Sequence, residues 1–195
     1  MTNYVITLHV MVHTSKPLTL EDFLKLPETK PASEYIDGKI IQKPMPLGKH
    51  SAIQGECVTA INAVVKAPRI ARAFLELRCI FGGRSVVPDI AVFTWERIPC
   101  DANGEIANIF LDAPDWTIKI LSPEQSQTKV IKNILHCLKH STQIGWLIDL
   151  EEQTAFVYIG ETVQLFDEPQ QHLPVPAFAN QFTLTVADLF GWLLK

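Results

Sequence analysis

The sequence predicts an α/β (α+β) domain with a mixed β-sheet flanked by helices. Three observations predict it. Short apolar strands alternate with segments of helical period, an order that builds layered sheets covered by helices. The 195 residues are 47% apolar and 19% charged, enough to bury a core without disulfide or metal staples. Gly-rich and Asp-Gly turns stand between apolar runs at three places, which marks antiparallel hairpins.

The elements follow in chain order. Residues 1–17 are an N-terminal extension and residues 18–195 a single domain. The apolar stretch Tyr4–Val12 is too short to span a bilayer and has neither a basic n-region nor a cleavage site, so no membrane association is expected. It reads as a loose extension or an added strand. Thr19 and Asp22 make a capping-box pattern that opens a short helix to about Leu26, closed by Pro27. Glu34–Ile36 and Lys39–Ile41 flank Asp37-Gly38, the signature of a type I′ hairpin. From Gly48 to Lys66 apolar residues recur at three- and four-residue steps (Ile53, Cys57, Ala60, Ile61, Val64), a helix stopped by Pro68.

Phe74–Phe81 and Val86–Phe93 then read as two strands around Gly82-Gly83. Residues 95–113 read as a loop with at most a helical turn. Trp116–Leu121 is a strand, 124–141 a helix, and Gly145–Asp149 a buried strand. Thr154–Ile159 and Thr162–Phe166 form a hairpin turning at Gly160, and Val186–Leu194 is a C-terminal helix. The four strands 74–81, 86–93, 116–121 and 145–149 are expected in one sheet, with helices 48–66 and 124–141 packed on it.

Seventeen basic and 21 acidic residues give a net charge of −4, which excludes a strongly basic nucleic-acid coat protein. The charge is uneven: residues 30–84 hold 9 basic and 4 acidic side chains, and residues 85–195 hold 6 and 14. The basic stretch is a candidate phosphate-facing surface. Four cysteines without a C-x-x-C pattern read as reduced thiols in a cytoplasmic protein. His136 and His140 have the four-residue spacing that zinc sites use, but no third ligand accompanies them. No G-x-S-x-G, P-loop or dinucleotide fingerprint is present.

Asp89 is the first candidate for chemistry. It interrupts the apolar run Val86–Val92 together with Pro88, and a carboxylate on such a strand needs a cation or a metal beside it. What lies opposite Asp89 depends on the turn. A two-residue Gly82-Gly83 turn opposes Glu76 to Asp89, two carboxylates that destabilise a sheet unless a cation sits between them. A four-residue turn opposes Arg78 instead. Both registers remain open at this level. Lys119 lies on the next strand, and Lys129 and Lys132 on the helix after it.

On these residues the chain resembles the Uma-type family, a restriction-endonuclease-like group within the PD-(D/E)XK nuclease superfamily. The likeness runs from Leu18 onward. Thr19–Phe23 resembles the opening helix, Glu34-Tyr-Ile-Asp-Gly-Lys-Ile the family hairpin, and His50 the histidine beginning the second helix. Val87-Pro88-Asp89-Ile90 resembles the P-D strand, Pro114–Pro123 a segment usually reading P-D-x-x-x-E-V-L-S-P, and Gly145–Asp149 the strand that follows. The resemblance implies a restriction-endonuclease-like fold and Mg²⁺-dependent (or Mn²⁺-dependent) hydrolysis of DNA.

Carried onto this chain, the resemblance makes Asp89 the central metal ligand, Glu34 an auxiliary acid and Lys132 the catalytic lysine, with His50 in a supporting place. Glu76 is a further candidate ligand. A homodimer is expected, since cutting both strands of a duplex favours two sites related by a twofold axis. One position departs from the pattern. Lys119 stands where the family has a strand glutamate, and an ammonium has no lone pair for a metal. Lys119 is therefore expected to pair with Asp89 and to impair cleavage. The alternative is an inactive nuclease-like module that binds nucleic acid or a partner protein.

Overall fold

The structure is a computed structural model that describes residues 18–123 and 125–195. The expected extension, residues 1–17, lies outside the described residues. Thr19 opens α1 (Leu20–Leu24) with the anticipated capping box, its hydroxyl accepting from the Asp22 amide at 3.1 Å. The next hairpin is β1 (Ser33–Ile36) and β2 (Lys39–Gln42). Asp37 and Gly38 both take positive φ, 50° and 80°, as a type I′ turn requires. Helix α2 (Gly48–Val65) is followed by β3 (Ala71–Leu75), β4 (Cys79–Phe81), β5 (Arg84–Val86) and β6 (Ile90–Thr94). The remaining elements are β7 (Trp116–Leu121), α3 (Gln127–Lys139), β8 (Ile144–Asp149), β9 (Thr154–Ile159), β10 (Thr162–Phe166) and α4 (Val186–Gly191).

The mixed α+β architecture is as the sequence predicts, but the strands divide between two sheets. One has six strands in the order β10-β9-β8-β7-β6-β3, the other four in the order β2-β1-β5-β4. In the six-stranded sheet only β7 and β8 are parallel, and α3 supplies their crossover. The expectation of single strands at 74–81 and 86–93 is corrected here. Glu76 takes φ 45° and ends β3, and the chain bends at Pro88-Asp89 before β6 begins. Proline has no N–H to give a ladder, so the run breaks there and its first half joins the other sheet. Residues 86–93 therefore straddle both sheets, while β6 pairs with β7 as expected. The 95–113 segment carries one 3₁₀ turn, Trp95–Arg97.

Helix α2 covers one face of the large sheet. Ile53, Cys57 and Ile61 bury fully against Trp116, Ile118 and Ile120 of β7. Helix α3 covers the other face, with Val130 and Ile134 on Leu147 and Tyr158. Gly145 lets α3 seat closely, because a Cβ there would strike Cγ2 of Ile134. Among the described residues no helix is long and apolar enough to cross a membrane. The two sheets meet where β1, the Pro88-Asp89 bend and the middle of β7 come together, and that junction holds the buried charges.

Candidate active site: two carboxylates held by two lysines

The junction gathers Glu34, Asp89, Lys43, Lys119, His50 and Asn133, all buried, with Glu76 at the rim. Glu34 sits mid-strand in β1. Its Oε1 accepts from the Val87 amide at 2.7 Å and from Lys119 Nζ at 3.3 Å, and its Oε2 accepts from Asn133 Nδ2 at 3.2 Å. Lys119 also donates to the Val87 carbonyl at 2.8 Å. Asp89 occupies the bend. Its Oδ2 accepts from the Ile120 amide at 2.7 Å, and its Oδ1 takes Lys43 Nζ at 2.7 Å with His50 Nε2 at 3.7 Å. Gln54 of α2 donates to the Asp89 carbonyl and fixes the bend.

The register question is settled in favour of Glu76. Phe81 pairs with Arg84 across a two-residue Gly82-Gly83 turn, Leu75 pairs with Ile90, and the Glu76 amide donates to the Asp89 carbonyl at 3.1 Å. Arg78 turns away to Ser85 and Glu28. The cation required between the opposed acids is the Lys43 ammonium, 2.7 Å from Asp89 Oδ1 and 3.3 Å from Glu76 Oε1. Sequence reasoning missed Lys43. The available signal was its phase: it continues β2 on the same side as Ile41, so its stem follows an inward-facing row.

Two assignments are corrected. Lys119 does not bond Asp89. The β6–β7 register, Ile90 with Ile118, does set the two residues opposite each other. The bend, however, turns the Asp89 carboxylate to Lys43 and the Ile120 amide, and leaves Lys119 to Glu34. Lys132 is exposed on α3 and does not line the site, whereas Asn133, one residue on, reaches Glu34. A step of one residue rotates a helical position by about 100°, enough to exchange a solvent-facing for a site-facing side chain. The cleft between the first hairpin and α3, about 330 Å³, is lined by Lys119, Asn133 and Lys129 among others.

Asp89 and Lys119 are each held in the charged form by the groups around them. Burial alone would push Asp89 up, but Lys43 and, farther away, Lys119 and His50 outweigh it and hold its carboxyl far below the usual range. Burial alone would push Lys119 down, but Glu34 and then Asp89 raise it. Removing either partner would strand the other charge.

Tested against Mg²⁺, this donor set does not fit. A hard divalent ion needs carboxylate oxygens with open lone pairs. Here each carboxylate is already matched by an ammonium: Asp89 accepts from Lys43 and the Ile120 amide, and Glu34 from Lys119, the Val87 amide and Asn133. A metal entering between them would also meet Lys43 and Lys119 at close range. A unit charge about 4 Å away is worth roughly 4 kcal/mol at an effective dielectric near 20. Among the described residues no three His, Cys, Asp or Glu side chains are grouped to hold a metal ion. His136 and His140 use one ring nitrogen each on carbonyls of Phe81 and His136. Cys57, Cys79, Cys100 and Cys137 are all free, and burial pushes the Cys57 and Cys137 thiols up to about 12.

Comparisons with known proteins agree with the geometry of the fold. The profile of the Uma2 family, described as putative restriction endonuclease, matches residues 20–187. A crystal structure of a putative nuclease belonging to DUF820 from Anabaena variabilis ATCC 29413 is 71% identical, with a TM-score of 0.90, over 91% of this chain and 100% of that one. No curated protein matches. The profile over residues 20–187 and the 71% identical structure lead to one assignment: the chain belongs to the Uma2 family of putative restriction endonucleases.

Proposed function

We propose that this protein is a nuclease-fold module that binds nucleic acid and does not cut it by the metal-dependent route. One observation carries the reading: both buried carboxylates are neutralised by lysines of the same chain, Asp89 by Lys43 at 2.7 Å and Glu34 by Lys119 at 3.3 Å. A metal-dependent hydrolase needs those oxygens for its ion. Lys129, exposed on the cleft wall, and the basic side chains of residues 30–84 support phosphate contacts. Free cysteines agree with a reducing, cytoplasmic setting, and a homodimer belongs to the same proposal. Light scattering at micromolar concentration tests the dimer.

The decisive experiment pairs binding with cleavage. Fluorescence anisotropy should show duplex DNA binding that weakens with salt and with Lys129→Glu. Plasmid incubated with Mg²⁺ or Mn²⁺ should stay intact, and calorimetry should show no Mg²⁺ heat for the natural chain. Lys119→Glu, which adds an acid beside Glu34, should gain Mg²⁺ binding. Nicking by the natural protein that vanishes in Asp89→Asn would overturn the reading. It would favour a second one, an active endonuclease in which a divalent ion displaces the Lys43 ammonium from between Asp89 and Glu76. The opposition of those two acids is the observation on its side.

A further inference from the structure

The five arginines of the chain divide into two kinds. Arg78, Arg84 and Arg97 each pair with a carboxylate, of Glu28, Asp37 and Asp115 respectively. Arg69 and Arg72 have no carboxylate partner among the described residues. Each lies over an aromatic ring instead. Arg69 Cζ is 5.8 Å from the ring centroid of Trp95, and Arg72 Cζ is 5.1 Å from that of Phe74. Contact with a ring uses none of the guanidinium N–H donors, so they stay open to an anion. Lys66, exposed at the same end of α2, adds an ammonium.

The independent observation is the backbone of Arg69. Past α2 the Ile70 amide donates to the Val65 carbonyl at 3.0 Å and the Arg69 amide to the Lys66 carbonyl at 3.1 Å, the two bonds of a Schellman turn. That turn needs a left-handed residue, and Arg69 takes it with φ 57°. Glycine adopts this conformation at no steric cost, whereas the Cβ of an arginine crowds the carbonyl that follows. The backbone alone thus favours glycine at position 69. Strain kept at an exposed basic residue points to a use for its side chain beyond the fold.

Arg72 relates this pair to the buried junction. Ala71 and Ala73 pack under α2, so Arg72 faces the other way, and Lys119 alternates with Ile118 and Ile120 in the same sense. Arg72 and Lys119 therefore share the sheet face opposite α2. Arg72 is paired with Phe93, which stands beyond Asp89 by a rise of about 13 Å, or about four base pairs of duplex. One duplex spans that distance within half a helical turn. Lys66, Arg69 and Arg72 outnumber Glu96, the exposed acid beside Trp95.

We propose that Arg69 and Arg72, with Lys66 beside them, form a surface that holds the phosphate backbone of duplex DNA. This deepens the proposed function and rests on it, since that reading supplies the polyanion. The surface adds affinity without sequence choice, because contacts to phosphates carry no base information.

Fluorescence anisotropy of the full chain with a labelled duplex about two helical turns long, repeated over a range of salt, tests it. Arg69→Gly should bind several-fold more weakly and lower the slope of log affinity against log salt by about 0.9, the share of one phosphate contact. Its denaturation midpoint should equal or exceed that of the natural protein, because glycine relieves the left-handed residue. Arg69→Lys keeps the charge and should keep the slope. Arg72→Gln keeps a stem on Phe74 and should lower the slope by the same step as Arg69→Gly. If Arg69 serves only the C-terminal end of α2 and the Trp95 ring, the results reverse: Arg69→Gly loses stability while affinity and slope stay unchanged. That outcome overturns the proposal, as do folded Arg69 and Arg72 variants that both bind as the natural chain does. A natural chain without salt-dependent binding to the duplex defeats the proposed function itself, and this surface with it.

Discussion

Strand β7 has two faces that are equally buried and chemically opposite. Trp116, Ile118 and Ile120 lie at 0% exposure in the apolar layer under α2. Thr117 and Lys119, at 0% and 5%, face the junction under α3. Alternation along one strand separates them by a single residue. The first face contributes by area removed from water, which any well-packed apolar side chain could supply. The second holds only because each charge has a partner, so its residues stand or fall in pairs. Burial alone therefore does not tell which side of a strand is the core.

The comparison can be broken with two single substitutions of similar size and one double. Trp116→Ala should destabilise by about 3–5 kcal/mol in chemical denaturation. Lys119→Ala should destabilise by about 3–5 kcal/mol as well, by leaving Glu34 buried without its cation. The difference lies in rescue. Lys119→Met combined with Glu34→Gln should return to within about 1 kcal/mol of the natural protein, or exceed it, since apolar and neutral groups can replace a buried pair. If the double variant is as unstable as Lys119→Ala, the polar face is a true part of the core and the contrast fails.

Acid sharpens it further. The Asp89 carboxyl is held far below its unfolded value, so its contribution is full above about pH 4 and is lost as pH falls. In that window the unfolded chain binds the proton first. The stability of the natural protein should fall with a slope of up to about 1.4 kcal/mol per pH unit. Asp89→Asn should flatten this slope, whatever it does to stability at neutral pH. Lys119 acts in the other direction. Its raised value means its contribution is present below about pH 10.4 and is lost as pH rises past its folded value.

Smaller effects locate the α3 side. Gly145→Ala should cost about 1–3 kcal/mol, because its Cβ collides with Ile134 and comes within 3.4 Å of Thr117. Arg84→Ala breaks a pair with Asp37, whose side chain is 71% exposed, and should cost less than about 1 kcal/mol. A loss at Arg84 as large as that at Lys119 would show that exposure does not separate the two kinds of ion pair.

The distance over which each interaction acts explains what the sequence could and could not reveal. The capping box at Thr19, the Asp37-Gly38 turn, α2 and the last hairpin were legible because their causes lie within a few residues. The opposition of Glu76 and Asp89 was legible as one of two registers, because a two-residue turn propagates along paired strands. Asp89 was legible as a carboxylate interrupting an apolar run and Glu34 from the family resemblance, and the structure brings both to the junction. Lys43 was not, since 46 residues separate it from Asp89 and nothing local marks its partner. The resemblance points to Lys132, which the structure leaves exposed, while Asn133, one position on, faces the site, a rotation that a sequence motif does not fix.

By itself the sequence determined the order of elements, the turns, the unusual Asp89 in an apolar run and the presence of a lysine at position 119, all consequences of local pattern and residue chemistry, while Glu34 entered only through the family resemblance. Only the tertiary structure decided how the charges are shared. The bend at Pro88-Asp89 sends one stretch of chain into two sheets and turns Asp89 from its cross-strand neighbour Lys119 to Lys43. Lys119 is thereby left to Glu34, 85 residues away in the chain. A buried charge takes whichever counter-charge the packed chain brings within about 3 Å, and that distance is set by where two sheets meet.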